Sequence, residues 1–282
     1  MNDTSPPAPK DALTPHRAYW FPLTRNAWST LVETAVEAAY LMGCVVRNCQ
    51  AMLGFFVRGR IHPGQTLRQA AVVCWDTLGI ALILTTFTGM VLALQTAAEM
   101  TRQGAGNFVG ALVAMALVRE LAPIMTGFSV IALAGSAFAA ELGSMTISNQ
   151  VDALRMLRVD PLRYLVLPRV VATTLALPCM VVITCTAGIV GGMWVSGFIA
   201  ELPADLYLES VRTQTDFRDV FCALLKSASF GFALSLITTT IGLETRGGAR
   251  EVGESTTQAV VWSFVAMAAL DYVLTYLIYG SG

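Results

Sequence analysis

The sequence predicts an all-α integral membrane protein with an N-terminal interfacial helix and five transmembrane helices. The first reason is composition, because 55% of the 282 residues are hydrophobic and only 13% are charged, whereas soluble domains carry roughly 25% charged residues. The second reason is that the apolar residues form five long runs, each long enough to cross a bilayer as a helix of ~20 residues. The formal net charge of -1 offers no basic face for phosphates, which excludes nucleic-acid binding as a main function.

The chain before the apolar runs is predicted to form two segments. Residues 1–25 are polar and have prolines clustered between Ser5 and Pro9, a composition typical of a disordered cytoplasmic tail. Residues 26–68 mix apolar residues with charged ones such as Glu33 and Arg47, which favours a helix lying in the membrane interface, here called the elbow helix. The alternative is a first crossing helix, although a poor one, because this segment lacks the ~20 mainly apolar residues in a row that a span needs.

Residues 69–282 are predicted to form one five-span domain. An odd number of crossings places the two termini on opposite sides of the membrane. With the N-terminus inside, the cytoplasmic segments hold thirteen Lys and Arg residues and the outer segments hold three. The positive-inside rule therefore predicts a cytoplasmic N-terminus and an outer C-terminus. The predicted spans are Val72–Ala98, Phe108–Ala140, Val170–Ala200, Val220–Leu243 and Ala259–Gly280.

Five charged residues lie inside the predicted spans. Asp76 is near the cytoplasmic end of its span, and the other four lie at membrane depth: Arg119, Glu120, Lys226 and Asp271. Each would cost ~2.5–3.5 kcal/mol at the centre of a lipid-facing helix, so all four must face protein or a water-filled cavity. Two interpretations stay open, namely structural ion pairs between helices, for instance Lys226 with Asp271, and a functional polar site. Small residues at helical spacing in the third run favour close helix packing: Gly188, Gly192 and Ser196.

The sequence argues against an enzyme with its own catalytic centre. A phosphate-binding P-loop needs a lysine after glycine, but Lys10 and Lys226 are the two lysines and neither follows a glycine. His16 and His62 both precede the first span, so no histidine is available to activate a serine at membrane depth. The six cysteines lie singly in apolar stretches without a CxxC motif, so we expect no metal site and no cofactor.

The hydrophilic stretch between the second and third runs is predicted to contain a short amphipathic helix at about residues 146–158. Ser148 is expected to cap its start and Pro161 to stop its end. A helix in a cytoplasmic loop suits docking to a partner protein, and the alternative is a helix lying on the lipid headgroups. Its apolar face would be formed by Val151, Leu154 and Leu157. The candidate docking residues are Ser148, Gln150, Asp152, Arg155 and Arg158.

Five segments of the chain, taken together, are specific enough to indicate a family. They are LVAMALVRELAPIM (112–125), AGSAFAAELGSM (134–145), QVDALRMLRVDPLRYLVLPR (150–169), GGAREVGESTTQAVV (247–261) and LDYVLT (270–275). From about Val72 to the C-terminus the chain resembles the MlaE/YrbE family, the permease subunits of MCE-type ABC lipid transporters. It departs from the family pattern at Leu133, Asn149 and Glu251, where the family often has Arg, Glu and Gly.

The resemblance implies a homodimer of five-span subunits with the fold of ABC half-exporter permeases. It implies an ABC ATPase subunit docked on the loop helix, an MCE-domain protein in the periplasm and, in some members, a STAS-domain protein. The implied function is that of an inner-membrane permease subunit, with a periplasmic C-terminus, that moves phospholipid or a related lipid between the inner membrane and the MCE protein. The rival hypothesis is a proton-coupled secondary transporter that uses carboxylates such as Glu120, Asp271 and Asp76.

The predicted lipid-binding cavity is centred on Arg119. This residue lies eleven positions beyond Phe108, about 17 Å along a helix and so near mid-bilayer. Its planar fork of donors suits a lipid phosphate. Glu120, about 100° further round the helix, is expected to anchor the span by pairing with another helix. Gln95 and Leu92, near the outer end of the first span, are predicted to line the mouth of the cavity.

Overall fold

The computed structural model describes only part of the chain, and all regular secondary structure in that part is helical. The chain divides into two units, Met1–Gly43 and Cys44–Gly282. The few described residues of the first unit are helical. The predicted tail, residues 1–25, and much of the predicted elbow region lie outside the described residues. The described residues are 36, 39–41, 43–51, 63–199 and 202–280.

Five helices in the described part are long and apolar enough to cross a bilayer, as predicted. Each begins before the corresponding apolar run, because polar residues continue the helix beyond the apolar stretch. The five, here called the first to fifth spans, are Gly64–Arg102, Gly106–Ile147, Leu162–Ile199, Phe217–Leu243 and Ala249–Tyr279. The protein is therefore an all-α, multi-pass membrane protein.

The first span is one continuous helix, α1, which runs from Pro63 to Arg102 and packs along the third span. The two helices touch backbone to backbone, because a Cβ added to Gly89 would overlap the carbonyl oxygen of Gly188. Gly188, Gly192 and Ser196 are all buried, so these small residues serve the close helix packing that their spacing predicts.

The second span is not one regular helix. Its three α-helical parts are separated by two π-helical turns, each of which adds a residue to the helical repeat. Such turns occur frequently at functional sites, and the first of them carries Arg119 and Glu120. In chain order the segments are α2 (Val109–Ala116), a π turn (Leu117–Leu121), α3 (Ala122–Val130), a π turn (Ile131–Gly135) and α4 (Ser136–Ile147).

Two shorter helices connect the spans. Helix α5 (Gln150–Met156) joins the second span to the third, which continues through a π turn into α6 (Leu167–Ile199). Helix α7 (Ala204–Gln214) joins the third span to the fourth. Because each span crosses once, α5 and α7 belong to opposite ends of the bundle. The fourth and fifth spans are α8 (Phe217–Leu243) and α9 (Ala249–Tyr279).

Helix α7 is held to the bundle by Tyr207, which is fully buried in an apolar cluster with Val109, Val113 and Leu117 of the second span. Burial raises the pKa of the Tyr207 phenol above its usual range, because the charged form would lose its hydration. The phenol is accordingly uncharged at all physiological pH values, and the contact is apolar in character.

The predicted caps of α5 are wrong. The hydroxyl of Ser148 donates to the carbonyl of Ser144 at 2.8 Å, which places Ser148 at the end of α4. The residue before α5 is Asn149, in the left-handed region at φ 59°. Pro161 does not stop the helix either, because α5 has already ended at Met156.

The actual end of α5 is a Schellman motif. The N–H of Val159 donates to the carbonyl of Leu154, and the N–H of Arg158 donates to the carbonyl of Arg155, both at 3.0 Å. Arg158 takes the left-handed conformation, at φ 58°, that usually belongs to glycine at this position. Leu157 is largely exposed, so the predicted apolar face shrinks to the buried Val151 and the half-buried Leu154.

Residues 44–51 of the predicted elbow region are helical. Within the second unit, the buried Asn48 donates from Nδ2 to Thr240 Oγ1 of the fourth span at 3.0 Å. Val45 and Cys49 pack on an apolar cluster that contains Val166 and Leu236. This part of the region is therefore fixed to the third and fourth spans.

The fifth span begins where Glu251 accepts a hydrogen bond from the N–H of Gly248 at 2.9 Å. This contact satisfies one of the free N–H groups at the helix start. Gly247, just before it, has φ 118°, a conformation open mainly to glycine. Glu251, one of the three departures from the family pattern, thus has a structural role as the cap of α9.

Candidate functional site

A network centred on Lys226 joins charged residues of the second, fourth and fifth spans. This side chain is only 2% exposed. Its Nζ lies 2.5 Å from Glu120 Oε2, 2.6 Å from Asp271 Oδ1 and 2.8 Å from Thr275 Oγ1. Thr275 in turn donates to Glu120 Oε1 at 2.9 Å. The second, fourth and fifth spans are therefore joined at one cation, through the Lys226–Asp271 pair and the cross-helix pairing of Glu120.

The break in the second span has a direct role in this network. Pro123 has no N–H, so it cannot donate to the carbonyl of Arg119, one turn earlier in the helix. Lys226 Nζ donates to that carbonyl instead, at 3.3 Å. A backbone acceptor left free in lipid would cost several kcal/mol, and the lysine satisfies it. The same side chain thus binds two carboxylates and the opened backbone of the π turn.

The side chain of Arg119 points to a different set of partners. Its Nη2 donates to Asp219 Oδ2 at 2.9 Å, and its Cζ lies 4.9 Å from the centroid of the Tyr279 ring. The hydroxyl of Tyr279 donates to Asp219 Oδ1 at 3.0 Å. Asp219 is 6% exposed, whereas the Arg119 side chain is 34% exposed. Arg119 is therefore the cation of the network with a free face.

Arg119 lies level with the ends of two spans, which differs from the predicted position near mid-bilayer. Asp219 is in the first turn of α8 and Tyr279 is the last residue of α9. The prediction counted residues from Phe108. The second span has 42 residues, about twice the length that crosses a bilayer, so a distance from its first residue does not fix depth.

Asp219, Thr275 and Tyr279 complete the site and were missed by sequence reasoning, which began the fourth span at Val220, one residue after Asp219. Their spacing carries a usable signal. Asp219 and Lys226 are seven residues apart on α8, and Asp271 and Thr275 are four apart on α9, so each pair shares one helix face. The last turn of α9 continues that face to Tyr279.

The structure does not bring Leu92 and Gln95 into the network. Leu92 packs against the apolar cluster that contains Val113 and Leu117, and Gln95 is exposed. Their role at the mouth of a cavity stays a prediction.

The loop helix α5 forms a second, exposed site at one end of the bundle. Asp152 and Arg155 pair at 3.0 Å on its surface. Next to them, Met156 and Leu157 expose most of their apolar side chains. A cavity of about 270 Å³ separates part of α5 from the start of the third span. The predicted docking residues Ser148, Gln150, Asp152, Arg155 and Arg158 are all exposed.

Among the residues that the structure describes, no cluster of three or more His, Cys, Asp or Glu side chains has the arrangement of a metal site. The acidic groups of the network instead face lysine, arginine and hydroxyl partners. Its chemistry is therefore that of ion pairing and hydrogen bonding.

Comparison with known proteins agrees with this architecture. The chain is 39% identical over 260 residues to a probable ABC transporter permease protein of Synechocystis, covering 92% of this chain and 96% of that protein. A probable ABC transporter permease protein of Rickettsia felis is 34% identical over 254 residues, 90% of this chain and 98% of that protein.

A chloroplast protein of Arabidopsis thaliana, named trigalactosyldiacylglycerol 1, is 39% identical over 227 residues, or 80% of this chain. This chain spans 65% of that protein's length. Residues 66–277, which include all five spans almost completely, match the family described as Permease MlaE. The chain therefore belongs to the MlaE permease family.

Proposed function

We propose that this permease is the transmembrane subunit of an ABC transporter that moves phospholipid, or a related lipid, between the inner membrane and an MCE-domain protein in the periplasm. This chain covers more than 90% of the length of two relatives that are named as probable ABC transporter permeases. The Arabidopsis relative bears the name of a galactolipid, which favours a lipid as cargo.

The lipid assignment rests on the side chain of Arg119, which its protein partners enclose only in part. Asp219 occupies one side of the guanidinium, while a third of the side chain is exposed between apolar helices. A guanidinium presents several N–H donors in one plane, so the free edge suits a phosphate oxygen. Leu92 and Gln95 are proposed to contribute apolar surface and an amide near the entrance. Lys226 is buried and anchors the site.

The observation that carries the ATPase assignment is the surface of α5. Exposed apolar side chains stand beside an exposed ion pair, a mixture that protein interfaces use for area and orientation. We assign α5 as the docking site for a separate ATPase subunit. The further proposed partners are a second copy of this chain, a periplasmic MCE-domain protein and a STAS-domain protein on the ATPase. No cofactor is part of the proposal.

One observation favours a second candidate, a proton-coupled secondary transporter. The network holds three carboxylates (Glu120, Asp219 and Asp271) but two cations (Arg119 and Lys226), so one bound proton would make it neutral. Proton relays in membranes use such carboxylates. The two candidates differ in energy source: lipid movement driven by a proton gradient without ATP would favour the transporter with proton coupling.

The proposed function is tested by purification from native membrane, with mass spectrometry of the co-purifying proteins and lipids. We expect an ATPase subunit, an MCE-domain protein and phospholipid in the sample. The purified chain alone should show no ATP hydrolysis, since its lysines form no P-loop, and activity should appear when the ATPase subunit is added. Hydrolysis by a preparation free of every other protein would contradict the proposal.

A further inference from the structure

A second buried cation, Arg169, joins the second and third spans at the end of the bundle that carries α5. Its side chain is 7% exposed. Nη2 donates to Glu141 Oε2 at 2.7 Å, Nη1 donates to the carbonyl of Leu165 at 3.1 Å, and Cζ lies 5.7 Å from the centroid of the Phe138 ring. The guanidinium is therefore bound by a carboxylate, a carbonyl and an aromatic face at once.

These contacts close the segment of chain that contains α5. Glu141 lies in α4 and Arg169 lies in the first turn of α6, so the ion pair joins the two ends of residues 142–168. We call the Arg169–Glu141 pair, with its contact to Leu165, the base clamp. Both ends of the loop are fixed to each other there, independently of α5.

Helix α5 itself is weakly fixed to the bundle. Val151 is its one buried residue among the seven of the helix. A cavity of about 270 Å³ lies between α5 and the start of the third span, where Tyr164 and Leu165 form part of its wall. Contacts along the length of α5 therefore contribute little to its position, which depends mainly on the chain segments at its two ends.

Arg169 is suited to hold those segments because of its shape. One nitrogen holds the carboxylate of the second span, and another holds the carbonyl of Leu165, which borders the cavity. A lysine has a single nitrogen on a flexible stem and does not reproduce this fork. Hydrogen bonds to a charged group contribute more than neutral ones, so the base clamp links the end of the second span to the start of the third, beside the cavity that α5 borders.

We propose that Arg169 is a positioning residue for energy coupling: the base clamp makes the ends of the second and third spans move together with α5 when a docked ATPase moves it. This inference rests on the proposed function, in which α5 docks the ATPase. It adds that loss of the base clamp leaves the ATPase bound while its hydrolysis no longer drives lipid movement efficiently.

The test uses the complex with the ATPase subunit that co-purifies from native membrane. The complex is placed in liposomes of phosphatidylethanolamine and phosphatidylglycerol with a fluorescent phosphatidylethanolamine. Three quantities are measured: ATPase bound per permease, ATP hydrolysed, and fluorescent lipid moved per ATP hydrolysed. The variants are Arg169→Gln, Arg169→Lys and Glu141→Gln. The matched control is Arg163→Gln, which removes an arginine six residues earlier that lies outside the base clamp.

For Arg169→Gln we expect normal ATPase binding and about tenfold less lipid moved per ATP, the scale of one lost charge-assisted hydrogen bond. In Arg169→Lys the lipid moved per ATP should fall nearly as far, because a single ammonium group does not replace the two donating nitrogens of the guanidinium. Arg163→Gln should match the wild type. If Arg169→Gln does not fold, Glu141→Gln, changed on the exposed side of the pair, is measured in the same way and should show the same loss of coupling.

The inference is overturned if lipid moved per ATP is unchanged in the folded variants, or if Arg163→Gln lowers it equally. A loss of ATPase binding in Arg169→Gln or Glu141→Gln would also overturn it, since the base clamp would then serve docking. If the wild-type chain binds no ATPase, the proposed function itself fails, and that result is visible before any variant is made.

Discussion

The two cations of the membrane network differ in what surrounds them. Lys226 is buried between three spans, and its ammonium binds Glu120, Asp271 and Thr275. Arg119 is partly exposed, and its pairing with Asp219 uses one side of the guanidinium. The first cation therefore holds helices together, and the second has donors left for a ligand.

Removal of the buried cation should destabilise the fold. Lys226→Met leaves Glu120 and Asp271 without their cation, and loss of one partner from a buried pair costs about 3–5 kcal/mol. We expect about 3 kcal/mol, since Glu120 is partly exposed, measured by reversible unfolding in mixed detergent micelles. The variant Lys226→Met with Glu120→Gln and Asp271→Asn should recover most of the loss. Equal stability of the single variant and the wild type would contradict the assigned role.

Removal of Arg119, the partly exposed cation, should lower the amount of bound lipid more than the stability of the fold. Arg119→Ala deletes the free donors, so we expect bound phospholipid per permease to fall several-fold while the protein still folds. Glu120→Ala breaks the pairing with Lys226 and should reduce the yield of assembled protein at least as much as lipid content. The measurement is lipid mass spectrometry on matched, monodisperse samples. Unchanged lipid content and transport in Arg119→Ala would leave that residue with a structural role.

At the scale of elements, the irregular parts of the helices explain where the polar groups meet. The π turn at Leu117–Leu121, followed by Pro123, opens the backbone beside Arg119 and Glu120. There the two adjacent charges contact different partners on the fourth and fifth spans: Arg119 meets Asp219 and Tyr279, and Glu120 meets Lys226 and Thr275. With a residue other than proline at position 123, a regular α-helix would pair its N–H with the carbonyl of Arg119, the carbonyl that Lys226 binds here.

The close approach of the first and third spans can be tested with a single methyl group. Gly89→Ala places a Cβ against the carbonyl of Gly188, and overpacking of this kind costs about 1–3 kcal/mol. Gly79→Ala on the same helix meets nothing within 4 Å and should be neutral or stabilising by about 0.5–1 kcal/mol. Unfolding of the two variants in detergent compares them directly. A Gly89→Ala protein as stable as Gly79→Ala would disprove the tight contact.

The surface of α5 can be tested as a docking element. Replacing Asp152 and Arg155 together by alanine removes an exposed ion pair, which contributes about 0–1 kcal/mol to folding. The double variant should therefore insert into the membrane normally but retain several-fold less ATPase in a pull-down. Glu99→Ala, at the end of the first span, is the control for loss of a surface charge. Wild-type ATPase capture by the double variant would show that docking uses other residues.

At the scale of the whole molecule, five spans and two connecting helices give the bundle two different ends. The end with α5 also carries the base clamp between Arg169 and Glu141 and the loop before α9. The other end carries α7, and the network of Arg119, Asp219 and Tyr279 lies toward it. The proposed lipid site therefore lies toward one end and the proposed ATPase docking surface at the other, as we expect for a permease that couples ATP hydrolysis to lipid movement.

The orientation of this bundle is predicted by its arginines and can be measured. Alkaline phosphatase fused after Gly282 should be active, since the C-terminus is expected in the periplasm, and green fluorescent protein at the same place should be dark. The same reporters fused after Gly248, in the loop between the fourth and fifth spans, should give the opposite result. Fluorescence from the fusion after Gly282 would contradict the proposed topology.

The fold class follows from the sequence alone, because lipid requires each span to satisfy its own backbone as a helix, and the five largely apolar runs of 22 to 33 residues are long enough to cross a bilayer in that form. It also showed which residues had to be partnered, since Arg119, Glu120, Lys226 and Asp271 could not remain in lipid alone. The partners that lay in recognisable spans, Glu120 and Asp271, were within reach of that reasoning.

Features that depend on contacts between distant segments become visible only in the folded protein. Asp219 and Tyr279 lie 100 and 160 positions from Arg119 in the chain, and only helix packing brings them to it. The left-handed Asn149 and Arg158 set the ends of α5 through backbone hydrogen bonds that residue preferences alone assigned to Ser148 and Pro161. The Arg169 clamp likewise exists because the second and third spans pack side by side, a geometry that no local pattern specifies.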